Sequence, residues 1–122
     1  MPALTCRDLR ASAQALSRSF GFELAGFWAD GDAPPHFAIL RLGDVTLALH
    51  QSDEPAGSPG FAAYLYIDDA ESLAELALAQ GALIDGPLDQ PWRCREVRYT
   101  DRDGNQIVFA QDLAPGPDGP GL

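Results

Sequence analysis

The sequence predicts an α+β fold in which two βαβββ modules pair, so that their strands form an open, curved mixed sheet around a cavity. Two helix patterns lie sixty residues apart, and each runs from an aspartate to a glycine thirteen residues further on. One strand pattern precedes each helix and three follow it. A repeat of this length is too long for a solenoid unit, so we expect two halves that pair to enclose a shared cavity.

The first module opens with a strand at "PALTC" and continues with a helix within "RDLRASAQALSRSFGFEL", residues 7–24. Asp8 is a good N-cap for this helix, and Gly21 is a natural stop. Apolar residues follow the helical period between them, at Leu9, Ala13, Leu16 and Phe20. Strands are then predicted at "FELAGFWA", "HFAILRL" and "DVTLALHQ", with a turn at Gly43 and Asp44 between the last two.

The second module repeats this order. A strand at "FAAYLYI" leads into a helix within "DDAESLAELALAQGALI", residues 68–84, which Asp68 or Asp69 caps and Gly81 stops. The following strands are predicted at "ALIDGPL", "CREVRYT" and "NQIVFAQ". A turn through Asp103, Gly104 and Asn105 joins the last two.

We therefore predict one domain over residues 1–112, with module 1 at about 1–51 and module 2 at about 61–112. The chain has 122 residues, enough for a single hydrophobic core. The segment "SDEPAGSPG", residues 52–60, is a turn-rich connector. Residues 113–122, "LAPGPDGPGL", have the composition of a disordered tail.

The charge of the chain restricts its partners. Acidic residues number 18 and basic residues 8, a formal net charge of −10. Such a surface repels nucleic acid and anionic membranes and attracts cations, although acidity by itself also keeps a protein in solution. Two cysteines do not make a disulfide framework, and no signal peptide or membrane-spanning stretch is visible. We expect a cytoplasmic protein.

Alternation along the strands assigns side chains to the two faces of the sheet. In the predicted strands Leu47, Leu49, Leu65, Ile107 and Phe109 belong to the apolar sets that pack under the helices. The opposite face then receives His50, Tyr64 and Tyr66, together with small apolar residues. Trp92 follows Pro91 in "DQPWRC", a loop pattern, which places a large apolar ring at the surface.

This organisation resembles the vicinal oxygen chelate superfamily, which includes glyoxalase I, extradiol dioxygenases, fosfomycin-resistance enzymes and bleomycin-resistance proteins. "GF" after the first helix and "DRDGNQIVF" near the end carry the resemblance, which covers about residues 2–112. "PALTCRDL", "FAILRLGDVTLAL" and "QPW" followed by "RE" are most similar to the bleomycin-resistance binding proteins. The first helix departs from that pattern, because "ALSRSF" lacks the common Phe-Tyr or Phe-Trp pair.

The resemblance implies a site without metal. Metal-dependent members of the superfamily carry His, Gln or Glu ligands at four positions that match Met1, Ala48, Ala62 and Val108, none of which suits a divalent metal. The two histidines, His36 and His50, do not have a ligand spacing. No nucleophile–base pair and no glycine-rich phosphate loop is visible either. We expect no metal, no other cofactor and no catalytic residue.

Aromatic residues remain as candidates for binding a ligand. The expected ligand-binding residues are Trp28, Phe37, His50, Tyr64, Tyr66 and Trp92. The resemblance implies that Phe37 and Trp92 clamp the planar part of a bleomycin, from different subunits of a homodimer whose grooves lie at the interface. Flat rings suit stacking on such a ligand. The predicted function is metal-independent sequestration of a planar, cationic, bleomycin-type antibiotic, which confers resistance.

Other interpretations of the same residues stay open at this point. Trp92 also suits a dimer interface, Phe37 a core position, and the two tyrosines plain packing. Arg95 and Glu96 suit cross-strand or interface pairs. A lyase or isomerase of the same superfamily, with a tyrosine, His50 or Glu96 as acid–base groups, is the alternative function. A protein-interaction module without a small ligand is a third.

Overall fold

The fold is given by a computed structural model that describes residues 2–53 and 63–114. The first module comprises β1 (Ala3–Cys6), α1 (Leu9–Phe20), β2 (Glu23–Trp28), β3 (Phe37–Leu42) and β4 (Val45–Gln51). The second comprises β5 (Ala63–Tyr66), α2 (Ala70–Ala79), β6 (Ile84–Asp89), β7 (Cys94–Thr100) and β8 (Gln106–Asp112). Met1, Ala62, most of the predicted connector and the tail from residue 115 lie outside the described residues.

The two modules have the same topology, which confirms the predicted pair of βαβββ units. The first sheet has the strand order β1-β4-β3-β2 and the second β5-β8-β7-β6. In each, the first strand runs parallel to the last, and the other neighbours are antiparallel. In this single chain β1 pairs with its own β4, so that Thr5 lies opposite His50. No helix in the described part of the chain is long and apolar enough to cross a membrane.

Each helix begins with the same pair of hydrogen-bond acceptors. Asp8 caps α1 by accepting from the backbone N–H of Ala11 at 3.1 Å, and Asp69 caps α2 by accepting from Ser72 at 3.1 Å. A glutamine from the last strand of each sheet satisfies a further N–H. Gln51 accepts from Leu9 at 3.1 Å, and Gln111 accepts from Ala70 at 3.0 Å. The first turn of each helix is thereby tied to its own sheet.

The two helices end differently. Gly21 follows α1 with φ of 79°, in the left-handed region, and its N–H bonds to the Ser17 carbonyl as predicted. In α2 the cap is Gln80, whose N–H bonds to the Leu76 and Ala77 carbonyls, and Gly81 with φ of 78° comes one residue later. The second helix is therefore ten residues long, against twelve for the first.

A single core joins the modules through the helix faces of both sheets. Leu47, Leu49, Leu65, Ile107 and Phe109 are all buried in it, which confirms the predicted alternation. Phe20 of α1 stacks on Phe109 of β8 with ring centroids 4.6 Å apart. Since these faces are turned to the shared core, the opposite face of each sheet points away from it. We call the two the first and second open faces.

The edge strands β2 and β6 are both irregular, and a glycine lies in each irregularity. The register of β2 shifts between Leu24 and Gly26, and that of β6 between Asp85 and Leu88. Gly86 has φ of 104°, and a Cβ there would collide with the backbone carbonyl of Glu96. A Cβ on Gly26 would instead lie 3.0 Å from the Trp28 ring. Each glycine thus permits a close approach, to backbone in β6 and to a side chain in β2.

The turn between β7 and β8 connects the end of the chain to its beginning. Asp101 Oδ1 accepts from the backbone N–H groups of Asp103 and Asn105, which shapes the turn. The buried Asn105 side chain then donates from Nδ2 to the Thr5 carbonyl at 2.8 Å. The "DRDGN" segment therefore holds β1 of the first module in place from the second.

Candidate functional site

The structure divides the six predicted ligand-binding residues between the two open faces. Trp28 ends β2, Phe37 begins β3 and His50 lies near the end of β4, all in the first sheet. Tyr64 and Tyr66 lie on β5, and Trp92 lies in the turn between β6 and β7, all in the second. The structure therefore brings the candidates together as two groups of three.

The first open face carries an aromatic cluster at one end. Trp28 lies opposite Phe37, and Phe37 opposite His50, in the register of the three strands. The Trp28 and Phe37 rings meet edge-on with centroids 6.3 Å apart, a favourable arrangement of two rings. His50 contacts His36, which sequence analysis did not select, with ring centroids 5.9 Å apart. Trp28 remains 47% exposed, and the space beside Gly26 accommodates its indole.

Trp92 is exposed on the second open face because a tight turn presents it there. The Gln90 N–H bonds to the Cys94 carbonyl, and Arg93 adopts φ of 64°, in the left-handed region. Trp92 lies between these residues and is 49% exposed. Its indole N–H is not free, however, since it donates to Glu96 Oε2 at 3.1 Å and lies 3.3 Å from the Tyr64 hydroxyl. The ring is thus held by its edge while about half of its surface faces outwards.

Glu96 is the centre of this group and is 1% exposed. Its Oε2 accepts from the Tyr64 hydroxyl at 2.6 Å as well as from Trp92, and its Oε1 accepts from Arg98 Nη2 at 3.2 Å. A carboxylate is buried only at great cost in free energy unless hydrogen-bond donors surround it. Tyr64, Trp92 and Arg98 supply the hydrogen bonds that water would otherwise make. Burial, together with the hydrogen bond to Glu96, raises the pKa of Tyr64 well above that of an ordinary tyrosine, so the phenol stays a neutral donor.

Sequence analysis missed the roles of Glu96 and Arg98. A signal was present, because Val97 and Tyr99 face the core, which by the period of two places Glu96 and Arg98 on the open face. Arg95 points to the other side and makes the expected cross-strand pair, since its Nε donates to Asp89 Oδ1 at 2.7 Å. Glu96 was assigned to the same kind of pair, but its partners include the turn tryptophan and a tyrosine from β5.

Three pockets that described residues line lie apart from both groups, with one overlap. A pocket of about 420 Å³ between the β3–β4 turn and the start of α2 includes Tyr66. Two grooves of about 610 Å³ each follow the α1–β2 and α2–β6 edges and contain none of the six residues. Among the described residues, Trp28 and Trp92 of the two groups are about half exposed.

Two of the positions that match the superfamily's metal ligands, Ala48 and Val108, lie within the described residues and do not fit a metal ion. Ala48 lies between Ala3 and Ile39 in the first sheet, and Val108 between Tyr64 and Arg98 in the second. Neither alanine nor valine has a donor atom in its side chain. Within residues 2–53 and 63–114, no group of three or more His, Cys, Asp and Glu residues is arranged to hold a metal ion.

The fold agrees with the family whose model matches the sequence. The family model for the Glyoxalase/Bleomycin resistance protein/Dioxygenase superfamily matches residues 1–109. The chain belongs to this superfamily. No curated protein matches its sequence. Membership accounts for the paired βαβββ modules, and the superfamily contains both binding proteins and enzymes, so the activity has to be argued from the site.

Solved structures of the superfamily resemble this chain over most of its length. TioX from Micromonospora sp. ML1 is 23% identical, with 89% of this chain and 94% of that chain covered and a TM-score of 0.72. A bleomycin-binding protein complexed with bleomycin is 23% identical, with 92% and 96% covered and a TM-score of 0.73. The fosfomycin resistance protein FosX from Listeria monocytogenes is 12% identical, with 90% and 88% covered and a TM-score of 0.67. At these identities the likeness shows the fold alone.

Proposed function

We propose that this chain is a metal-independent binding protein whose ligand, a planar small molecule, stacks on Trp92. The observation that carries the proposal is the Trp92 side chain, which is held through its N–H by buried Glu96 while its ring is about half exposed. An aromatic ring fixed in orientation loses little entropy when a ligand stacks on it. A ring that only covered the surface would not need a buried carboxylate to hold it.

The ligand we propose is cationic, and a bleomycin-type antibiotic is its most specific form. The net charge of −10 favours a cation over an anion through long-range attraction. A protein of the same fold has been solved with bleomycin bound. In this proposal the protein confers resistance by sequestering the antibiotic in the cytoplasm, an environment that suits its two free, buried cysteines.

The site is completed in our proposal by a second copy of the chain. Both open faces carry exposed tryptophans, and neither is enclosed within the described residues of one chain. A two-fold dimer would set the first open face of one copy against the second open face of the other, with Phe37 and Trp92 on opposite sides of a groove. Sedimentation at micromolar concentration should give a dimer, and a monomer would contradict this part of the proposal.

A metal-free lyase or isomerase is less well supported. Glu96 is the carboxylate closest to the aromatic group, but three donors occupy its oxygens, so it is poorly placed to remove a proton from a substrate. Tyr64 is held in its neutral form and cannot act as a base near neutral pH. Formation of any product from a bound ligand would reverse this preference.

The test is a titration of the purified protein with bleomycin, followed by tryptophan fluorescence and repeated after dialysis against a chelator. We expect saturable binding at one ligand per groove, unchanged by the chelator, and weaker binding at higher salt because attraction to an acidic surface is screened. Native mass spectrometry should find the dimer without stoichiometric metal. Absence of binding by the wild type would remove bleomycin from the proposal, and binding that the chelator abolishes would contradict its metal independence.

A further inference from the structure

The Glu96 carboxylate occupies a position for which stability gives no reason. In the sheet register it faces Leu88 on one side and Ala110 on the other. Replacing a buried charge together with the groups that pair with it by apolar side chains of similar size is often neutral or even stabilising. A leucine here would extend an apolar surface, whereas the glutamate must be desolvated and surrounded by Tyr64, Trp92 and Arg98.

The hydrogen bond to Glu96 determines where the Trp92 ring lies. Trp92 sits in a turn and is about half exposed, so packing constrains its side chain on one side only. Its N–H reaches Glu96 Oε2 at 3.1 Å, and Tyr64 holds the same oxygen at 2.6 Å. A side chain held by a buried and itself hydrogen-bonded partner keeps one orientation, which is the requirement for a preorganised binding surface.

The charge of Glu96 also changes the ring. A carboxylate that accepts from the indole N–H polarises the hydrogen bond and draws the proton towards itself, which leaves the ring richer in electrons. A cation over the ring face is attracted by that density. Arg98 balances part of the charge, but it bonds to Oε1, on the side of the carboxylate away from the oxygen shared by Trp92 and Tyr64.

We propose that Glu96 is the positioning and specificity-determining residue of the Trp92 surface, fixing the plane of the indole and favouring planar cations over neutral planar molecules. This inference rests on the function proposed above. Trp28 on the first open face offers a contrast within the same molecule, because its ring is set by contact with Phe37 and by the space at Gly26.

The experiment separates position from charge by comparing two substitutions of Glu96. Trp28→Phe serves as the parent, so that Trp92 is the only tryptophan, and Glu96→Gln and Glu96→Leu are made in it. Gln keeps an acceptor for the indole N–H but no charge, whereas Leu keeps neither. Glu75→Gln on the exposed face of α2 is the matched control for the loss of one negative charge from the whole protein.

The first readout needs no ligand and is the quenching of Trp92 fluorescence by acrylamide, together with its anisotropy. We expect Glu96→Gln to behave like the parent and Glu96→Leu to show about twofold stronger quenching and lower anisotropy, because the ring is released from its partner. Tyr64→Phe, which removes one donor to Glu96 and the weaker of two acceptors for the indole N–H, should give a smaller change in the same direction. Identical quenching in all of these variants would overturn the positioning role.

The second readout is the affinity for bleomycin. Glu96→Gln should bind about threefold to tenfold more weakly than the parent, and Glu96→Leu more weakly still, because the indole loses the neighbouring charge that strengthens its attraction for a cation. Glu75→Gln should change the affinity less than twofold. Equal losses of affinity in Glu96→Gln and Glu75→Gln would show that only the net charge of the protein matters, and would overturn the specificity role. If the wild-type protein does not bind bleomycin, the proposed function fails while the quenching data still decide the positioning role.

Discussion

The first open face carries Trp28, Phe37 and two histidines whose rings contact one another, whereas the second carries Trp92 above a buried glutamate with its own donors. Their helices are attached alike, with an aspartate cap and a glutamine from the last strand in each module. The two modules thus share the contacts that build a βαβββ unit and differ in the side chains on their open faces. Hydrogen bonds to Glu96 and Tyr64 hold the tryptophan of the second module, whereas a ring contact with Phe37 holds that of the first.

The two modules should differ most in the stability that is lost when the glycine of the edge strand is replaced. Gly86→Ala places a Cβ against the Glu96 carbonyl at φ of 104°, and we expect a loss of about 3 kcal/mol or more in the free energy of unfolding. Gly26→Ala meets only the outer edge of the half-exposed Trp28 ring and should cost about 1 kcal/mol or less. Urea unfolding of both variants measures the contrast, and equal losses would show that the two bulges are equally tolerant.

The next contrast concerns the two tryptophans. Trp92→Ala should weaken bleomycin binding about tenfold to a few hundredfold, because stacking and cation–π attraction are lost with the buried area. Trp28→Ala should weaken it less, since its ring is turned edge-on to Phe37.

Both variants are titrated at a concentration where they are dimeric. If Trp92 only covers the interface, Trp92→Ala will shift the monomer–dimer equilibrium first and lose binding in proportion. Unchanged affinity in a Trp92→Ala dimer would leave this residue a packing role only.

The two helix-capping glutamines should contribute similarly to stability, which tests whether the modules share the way in which their helices are attached. Gln51→Ala and Gln111→Ala each leave a helix N–H without its side-chain acceptor and should each cost about 1 kcal/mol. Thermal unfolding of the two variants and of the double variant gives the comparison. A cost confined to one glutamine would mean that the repeat has diverged at the helix ends as well.

Apart from Cys6 in the first module, whose thiol pKa is raised by burial, the groups through which alkaline pH should destabilise the protein lie in the second module. All three tyrosines belong to it, and burial raises the pKa of Tyr64, Tyr66 and Tyr99 above the usual 10.0. Above about pH 10 the unfolded chain loses phenolic protons that the folded chain retains, so stability falls as pH rises. Near neutral pH the effect is absent. Tyrosinate absorbance should rise only when unfolding begins as pH is increased. A rise well below the pH of unfolding, from all three tyrosines, would contradict their raised pKa values.

Local patterns predicted most of the scaffold. The helix α1 lies between Asp8 and Gly21 as expected, and the β7 pattern "CREVRYT" matches the observed strand. For α2 the pattern offered Asp68 or Asp69, and the structure selects Asp69, whose side chain reaches Ser72. The helix stops before Gly81 because Gln80 already closes the last turn with bonds to Leu76 and Ala77, a detail that periodicity does not contain.

The candidate site was only partly predictable, because its parts meet through contacts distant in sequence. The period of two placed Tyr64, Tyr66 and His50 on the open faces correctly. It could not show that Glu96 is buried, because its burial depends on a turn that folds Trp92 back and on a tyrosine that lies 32 residues earlier. A glutamate in a strand next to an arginine has the local pattern of a surface ion pair.

The contact between Asn105 and Thr5 spans 100 residues, and this has a consequence for how the chain folds. Such a contact closes a loop of nearly the whole chain. The conformational entropy lost on closing this loop must be offset before the hydrogen bond contributes to stability. During synthesis the first module emerges complete in sequence yet without the side chain that holds the end of β1, since Asn105 belongs to the second module and is made after it. The first strand should therefore settle only after the final hairpin has formed, and the two similar halves should unfold together in one transition instead of two.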